Sequence, residues 1–134
     1  MKKYSLSVAL FLMIFCFEKA KSQNRPPWIT PGSVMSRVNP LQGNIATLKN
    51  AKTLYINTCG PCHGDKGKGD GIAAIACNPQ PADHTSDYVQ KETDASLYWK
   101  ISEGRGPMPQ YKNSLPEDQI WGLINYIRTL KAKK

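Results

Sequence analysis

The sequence predicts an all-α fold of three to four short helices, and three observations carry that prediction. Apolar residues ahead of Cys59 recur at the spacing of a helix buried along one face. The stretch after Ser114 shows the same period more clearly, behind a helix-start signal. No stretch alternates apolar and polar residues as a half-buried strand does, and no internal repeat is visible. The length, 134 residues, suits one domain rather than two.

Residues 1–22 read as a leader. Lys2 and Lys3 give a positive start, Leu6 to Phe17 form a 12-residue apolar run, and Ala20-Lys-Ser22 places small residues at a cleavage site. The run is short of the ~20 residues that span a bilayer as a helix. Cys16 is counted as part of this signal, because bulky Phe15 precedes it where a lipid-modified cysteine needs a small residue. The expectation is export, with a periplasmic location, soluble or peripherally attached to a membrane.

Residues 23–44 follow, interrupted by Pro26, Pro27, Pro31, Gly32 and Pro40. They predict an extended arm, with Trp28 and Ile29 as the residues that pin it. Periodicity starts at Ile45, the expected beginning of a domain over 45–134. Ile45, Leu48, Ala51, Tyr55 and Thr58 share one helical face, widened by Leu54, and this helix leads into Cys59. A glycine- and charge-rich loop occupies 64–71, and Pro79 and Pro81 punctuate the next stretch.

Thr93 or Asp94 caps a further helix carrying Leu97, Tyr98 and Ile101, which Gly104 and Gly106 end. In the last helix, Ser114-Leu-Pro-Glu117 has capping-box spacing. Ile120, Leu123, Ile124, Ile127 and Leu130 form its apolar face, and Lys131, Lys133 and Lys134 suit its carboxyl end. So few short helices make a thin core, which a large flat apolar cofactor at the centre would complete.

The formal charge is +8. Loss of Lys2, Lys3, Lys19, Lys21 and Glu18 with the leader lowers it to +5. A mildly basic surface of this kind steers toward acidic partners or an anionic membrane. No basic-aromatic patch points to nucleic acid.

Export leaves three cysteines, Cys59, Cys62 and Cys77, and an odd number is poor material for a disulfide framework. Cys59-Gly-Pro-Cys62-His63 has the c-type haem attachment pattern. Two thiols three residues apart lie on one side of a helical turn and reach both vinyl groups of one porphyrin, and the adjacent histidine supplies an axial bond to iron. The expected cofactor is therefore one covalent haem c, held by Cys59, Cys62 and His63. Cys-Gly-Pro-Cys is also a thiol-disulfide exchange motif, and a thiol-disulfide oxidoreductase is the competing reading. That fold sets the pair after a strand in a βαβ unit, whereas here an amphipathic helix precedes it and His63 follows. A zinc site built from Cys77 and His84 lacks ligands of suitable spacing.

The expected second axial ligand is Met108, on a loop stiffened by Pro107 and Pro109 and opened by Gly104 and Gly106. The expected iron ligands are thus His63 and Met108. His84 is the rival, Met35 in the arm a weaker one. Trp99, Tyr111 and Trp121 read as core, with any one of them able to line the haem. Arg105 reads either as a partner for a haem propionate or as a solvated loop cation. Cys77 reads as a small buried hydrophobe, and alternatively as a redox-responsive or dimer-forming thiol.

From about Ile45 to Leu130 the sequence resembles the class I c-type cytochromes, specifically small bacterial single-haem domains. The resemblance rests on Leu54-Tyr55 ahead of Cys59-x-x-Cys62-His63-Gly64, on Met108-Pro109, and on the aromatic-bearing last helix. It implies a cytochrome c-like fold whose first and last helices cross closely, with Ala51 at a position usually occupied by glycine. Tyr55 then packs on Tyr126 or Trp121. A proline carbonyl, of Pro79 or Pro81, accepts a hydrogen bond from His63.

The implied function is carriage of single electrons between exported or membrane-bound redox partners, with no catalysis and no small-molecule substrate. Either a free shuttle or a docked subunit of a dehydrogenase or oxidase complex, such as a membrane-bound respiratory complex, fits. The exchange surface is expected near the attachment helix, rimmed by Lys66 and Lys68 and meeting an acidic partner.

Overall fold

The computed structural model describes residues 26–132. The predicted leader, Lys133 and Lys134 lie outside the described residues. Five helices follow in chain order: α1 (Leu48–Thr58), α2 (Gly60–His63), α3 (Asp87–Gln90), α4 (Asp94–Glu103) and α5 (Glu117–Thr129). Short 3-10 turns at Gly32–Val34, Ile45–Thr47 and Ile72–Ala76 separate them. Among the described residues the one bridge of β type pairs Arg105 with Met108, outside any strand.

The most extensive contact between helices is that of α1 with α5. Ala51 and Tyr55 meet Ile120, Leu123, Ile124 and Ile127, all buried. The close approach depends on a small residue from each side: a Cβ placed on Gly122 comes 3.6 Å from the Ala51 Cβ. The space that glycine gives at the Ala51 position in the resembling family is therefore supplied here by Gly122. Tyr126 takes the aromatic place beside Tyr55, with centroids 5.0 Å apart, and Trp121 pairs instead with Tyr98 at 4.2 Å. The apolar stripe expected from Ile45 is shorter than its period implied. Ile45 lies on a 3-10 turn and is 80% exposed, so the buried face begins farther along.

The start of α5 also differs from expectation. Ser114 donates from its hydroxyl to the Tyr111 carbonyl, in a turn closed by the Ser114 and Leu115 amides on the same carbonyl. The helix begins at Glu117, and no side chain caps it. The capping-box spacing is overridden because Tyr111 and Lys112 are tied back to the Ile101 and Ser102 carbonyls. Thr93 caps α4 as predicted, accepting from the Ser96 amide at 3.1 Å.

The one-turn helix α3 gave no periodic signal because four residues are too few to show one. Ser86 caps it. Arg128 on α5 holds its end, donating to the Gln90 and Glu92 carbonyls and pairing with Asp94 at 2.6 Å.

The 26–44 segment lies on the chain's own helices. Asn39, buried, donates to Asp94 and Asn125, and Arg37 sits 4.3 Å from the Tyr98 ring centroid. Thr30 shares a hydrogen bond with Ser96. Trp28 is one anchor, as expected, but Ile29 is 81% exposed and pins nothing.

Candidate haem site

Cys59 ends α1 and its amide donates to the Tyr55 carbonyl at 2.8 Å, so the attachment motif is a direct continuation of the helix. Pro61 sits in the first turn of α2, where its missing amide costs nothing. Gly64 ends α2 with φ +78°, and a Cβ there would collide with the Asp70 carboxylate. The chain thus folds back at once: the Gly69 and Gly71 amides donate to the His63 and Cys62 carbonyls.

One cleft gathers Cys59, Cys62, His63 and Met108 along its walls. Its cavity volume is about 140 Å³. Apolar walls come from Val89, Leu97, Ile101 and Ile127, with Pro79, Pro81 and Tyr111 beside the thiols and imidazole.

His63 Nδ1 lies 2.9 Å from the Ala82 carbonyl. A carbonyl only accepts, so the imidazole proton is on Nδ1 and the lone pair on Nε2. The family's pattern points to Pro79 or Pro81 as a source of such a carbonyl; Ala82, the residue after Pro81, supplies one here.

His84 is buried, stacked on His63 with ring centroids 4.1 Å apart and planes at 17°. Its Nδ1 is 2.8 Å from the Tyr55 hydroxyl. The two histidines therefore lie together on one side, not facing each other across a gap. Met35 packs by Thr93 at a half-exposed position and is not part of the cleft wall.

Comparison with known proteins bears on this arrangement. The sequence model of the family described as "Cytochrome C oxidase, cbb3-type, subunit III" matches residues 46–127, more than half of the chain. The chain belongs to this c-type cytochrome family. It is 26% identical over 98 residues to the cbb3-type cytochrome c oxidase subunit CcoP of Azospirillum brasilense, covering 72% of this chain and 33% of that one. The chain thus spans about a third of the length of that curated relative.

Two solved structures share the fold. One is the Kuenenia stuttgartiensis reducing HAO-like protein complex Kustc0457/Kustc0458, with TM-score 0.58, 23% identity, and coverage of 81% of this chain and 53% of that one. The other is the KustC0563 c-type cytochrome, with TM-score 0.53, 23% identity, and coverage of 61% and 98%.

The thiols of this cytochrome are poorly suited to disulfide exchange. Burial, with a smaller push from Cys62, raises the Cys59 thiol to about 12, whereas exchange enzymes lower the attacking thiol. Cys62 is also raised, by desolvation first and then by its contact with Cys77. No βαβ unit occurs among the described residues. Cys77 is half-buried on the cleft wall, its sulfur 4.0 Å from that of Cys62 and 3.4 Å from the Ala73 carbonyl.

Arg105 is turned to the 26–28 segment. Its guanidinium donates to the Pro27 and Pro26 carbonyls at 2.9 and 3.1 Å and lies 4.7 Å from the Trp28 ring centroid. Neither sequence reading of Arg105 included this partner, because 78 residues separate the two positions. Trp28 was legible as an anchor, but not as a residue of the cleft wall.

Proposed function

We propose that this cytochrome holds one haem covalently through Cys59 and Cys62, with His63 and Met108 as axial ligands, and passes single electrons between redox proteins outside the cytoplasm. The observation that carries the reading is convergence. Two thiols, an imidazole with its proton fixed on Nδ1, and a thioether from a distant loop line one apolar cleft. That donor set is the one a c-type haem takes. His84 stacks beside His63 instead of opposite it, which favours Met108 as the second ligand.

Bound there, haem supplies a one-electron ferric/ferrous couple. The chain's own residues do the rest. The Ala82 carbonyl orients His63 and raises its basicity. Val89, Leu97 and Ile101 keep the cleft apolar, which favours the less charged ferrous state. With His63 and Met108 both holding the iron, a bound haem would have no place for a substrate, so the role is transport and not catalysis.

Docking of redox partners is assigned to the attachment side. The 3-10 turn Ile72–Ala76 packs on α2, yet Ile72 and Ile75 are 91% and 90% exposed, an apolar pair beside the motif. Lys66 and Lys68 are exposed in the neighbouring loop and favour an acidic partner surface. The relative named as an oxidase subunit supports a second form of the same reading, a cytochrome domain working inside a larger redox assembly. The 26–44 segment does not decide between shuttle and subunit, because it lies on this chain's own α4 and α5.

The test is intact mass under denaturing conditions, after expression with the haem attachment machinery. The expected mass is that of the chain plus one haem, and Cys59→Ala with Cys62→Ala abolishes the addition. A chain that carries no covalent haem under those conditions sinks the proposal.

A further inference from the structure

The Met108 loop is built on a backbone pair. Arg105 and Met108 exchange both hydrogen bonds, at 3.1 and 3.2 Å, around Gly106 and Pro107. Gly106, with φ +62°, is at home in this tight turn. Whatever fixes Arg105 therefore fixes the backbone from which the Met108 thioether projects. The turn itself is short, carries exposed Gly106 and Pro107, and is followed by exposed Pro109. Within the loop, Met108 packs in part against the core and the Met108–Pro109 backbone lies close to Gly104.

A second restraint comes from far away in the sequence. The Arg105 guanidinium spans the Pro26 and Pro27 carbonyls and stands over the Trp28 ring. Lys100 approaches the same ring at 5.7 Å, and Trp99 meets it edge-on at 6.1 Å. Thr30, two residues on, is tied to Ser96 at 2.6 Å. The segment is thus anchored to α4 on one side and grips the Met108 turn on the other. Pro26, Trp28, Arg105, Pro107 and Met108 all line the cleft.

We propose that residues 26–28 form a strap that locks the axial methionine, with Trp28 and Arg105 as positioning residues for Met108. This rests on the reading of Met108 as the second iron ligand. With the strap in place, displacement of the thioether by another ligand requires the turn to pull Arg105 off the Trp28 face and the two carbonyls. Without it, the turn is freer to shift at Gly106, around which the space is open, and the iron opens to outside ligands. The strap therefore keeps a carrier from becoming a ligand-binding haem.

The experiment uses the full, haem-loaded ferric protein and imidazole as the probe. Spectrophotometric titration follows loss of the weak long-wavelength band of methionine-to-ferric-iron charge transfer as imidazole replaces Met108. Trp28→Ala and Arg105→Ala are each expected to tighten apparent imidazole binding about tenfold, the scale of a cation–π contact or a pair of charge-assisted hydrogen bonds. Trp28→Phe keeps a ring face and stays within about threefold of wild type. The double variant gains little over either single one, because both break one chain of contacts.

Gly122→Leu serves as the control, since it loosens the α1–α5 crossing without touching the strap. Unchanged imidazole affinity in Trp28→Ala and Arg105→Ala, beside a wild type that shows the methionine band, overturns the strap alone. Equal tightening in Gly122→Leu at a matched loss of thermal stability also overturns it, since the effect is then general loosening. A wild type without the methionine band overturns the assignment of Met108, and the strap's role with it.

Discussion

At the scale of single residues, Tyr55 joins the helix crossing to the histidine pair. It is fully buried, packs on Tyr126 and hydrogen-bonds His84, which stacks on His63. Desolvation first, and then the nearby Cys59, Tyr126 and acidic side chains, raise its phenol well above the ordinary value of ~10. Above pH ~10 the unfolded chain releases this proton while the folded chain retains it, so folding loses stability as pH rises. Tyr55→Phe is expected to cost about 1 kcal/mol at pH 7 through the lost hydrogen bond. It is also expected to show a shallower fall in stability between pH ~10 and ~12 than wild type. Denaturant unfolding at pH 7 and at two alkaline values checks both parts, and equal pH slopes contradict the assignment.

Much of the site is legible residue by residue. Cys59, Cys62 and His63 fall within five residues, and their spacing alone states a chemistry, while Met108 is marked by the prolines and glycines around it. The Ala82 carbonyl, the stacking of His84 and the Trp28–Arg105 contact are not legible in this way. Each joins residues 19 or more positions apart through backbone groups or ring faces, which leave no periodic or spacing signal.

At the scale of elements, the crossing of α1 and α5 is the most exposed to substitution. The Ala51–Gly122 approach leaves room for one methyl group and no more. Gly122→Ala places its Cβ at an ordinary 3.6 Å contact and raises helix propensity, so its expected effect lies between neutral and ~1 kcal/mol stabilising. Gly122→Leu overpacks the crossing and is expected to cost ~1–3 kcal/mol. Thermal unfolding of the two variants checks the ordering, and a tolerated leucine contradicts so close a crossing.

Element boundaries show where periodicity stops being a guide. The apolar face of α5 was readable because it runs through thirteen residues. Its start was not, because the Tyr111 turn is held by hydrogen bonds to the end of α4 and displaces the expected cap from Ser114. Ile45 matches the period of α1 but lies outside the buried face, since a 3-10 turn rotates it away.

At the scale of the whole molecule, a small helical core closes around a cleft lined by thiols, imidazole and thioether. The all-α class, and the expectation of a large cofactor to complete the core, come from length and pattern. No helix among the described residues is long and apolar enough to cross a membrane. The surface near the attachment motif pairs exposed Ile72 and Ile75 with Lys66 and Lys68 in the adjoining loop. Replacing both lysines by glutamine is expected to slow electron transfer to an acidic redox partner severalfold at low salt, with the difference fading above ~0.15 M. Stopped-flow rates across ionic strength measure this, and an unchanged salt dependence places the docking face elsewhere.

The central claim is that one haem, ligated by His63 and Met108, makes this chain a one-electron carrier. An optical redox titration of the haem-loaded protein tests it most directly. The account predicts one reversible one-electron transition, sharp low-spin α and β bands when reduced, and a methionine-to-iron band when oxidised that Met108→Ala abolishes. A high-spin spectrum with an open coordination position, or a methionine band that survives Met108→Ala, contradicts it.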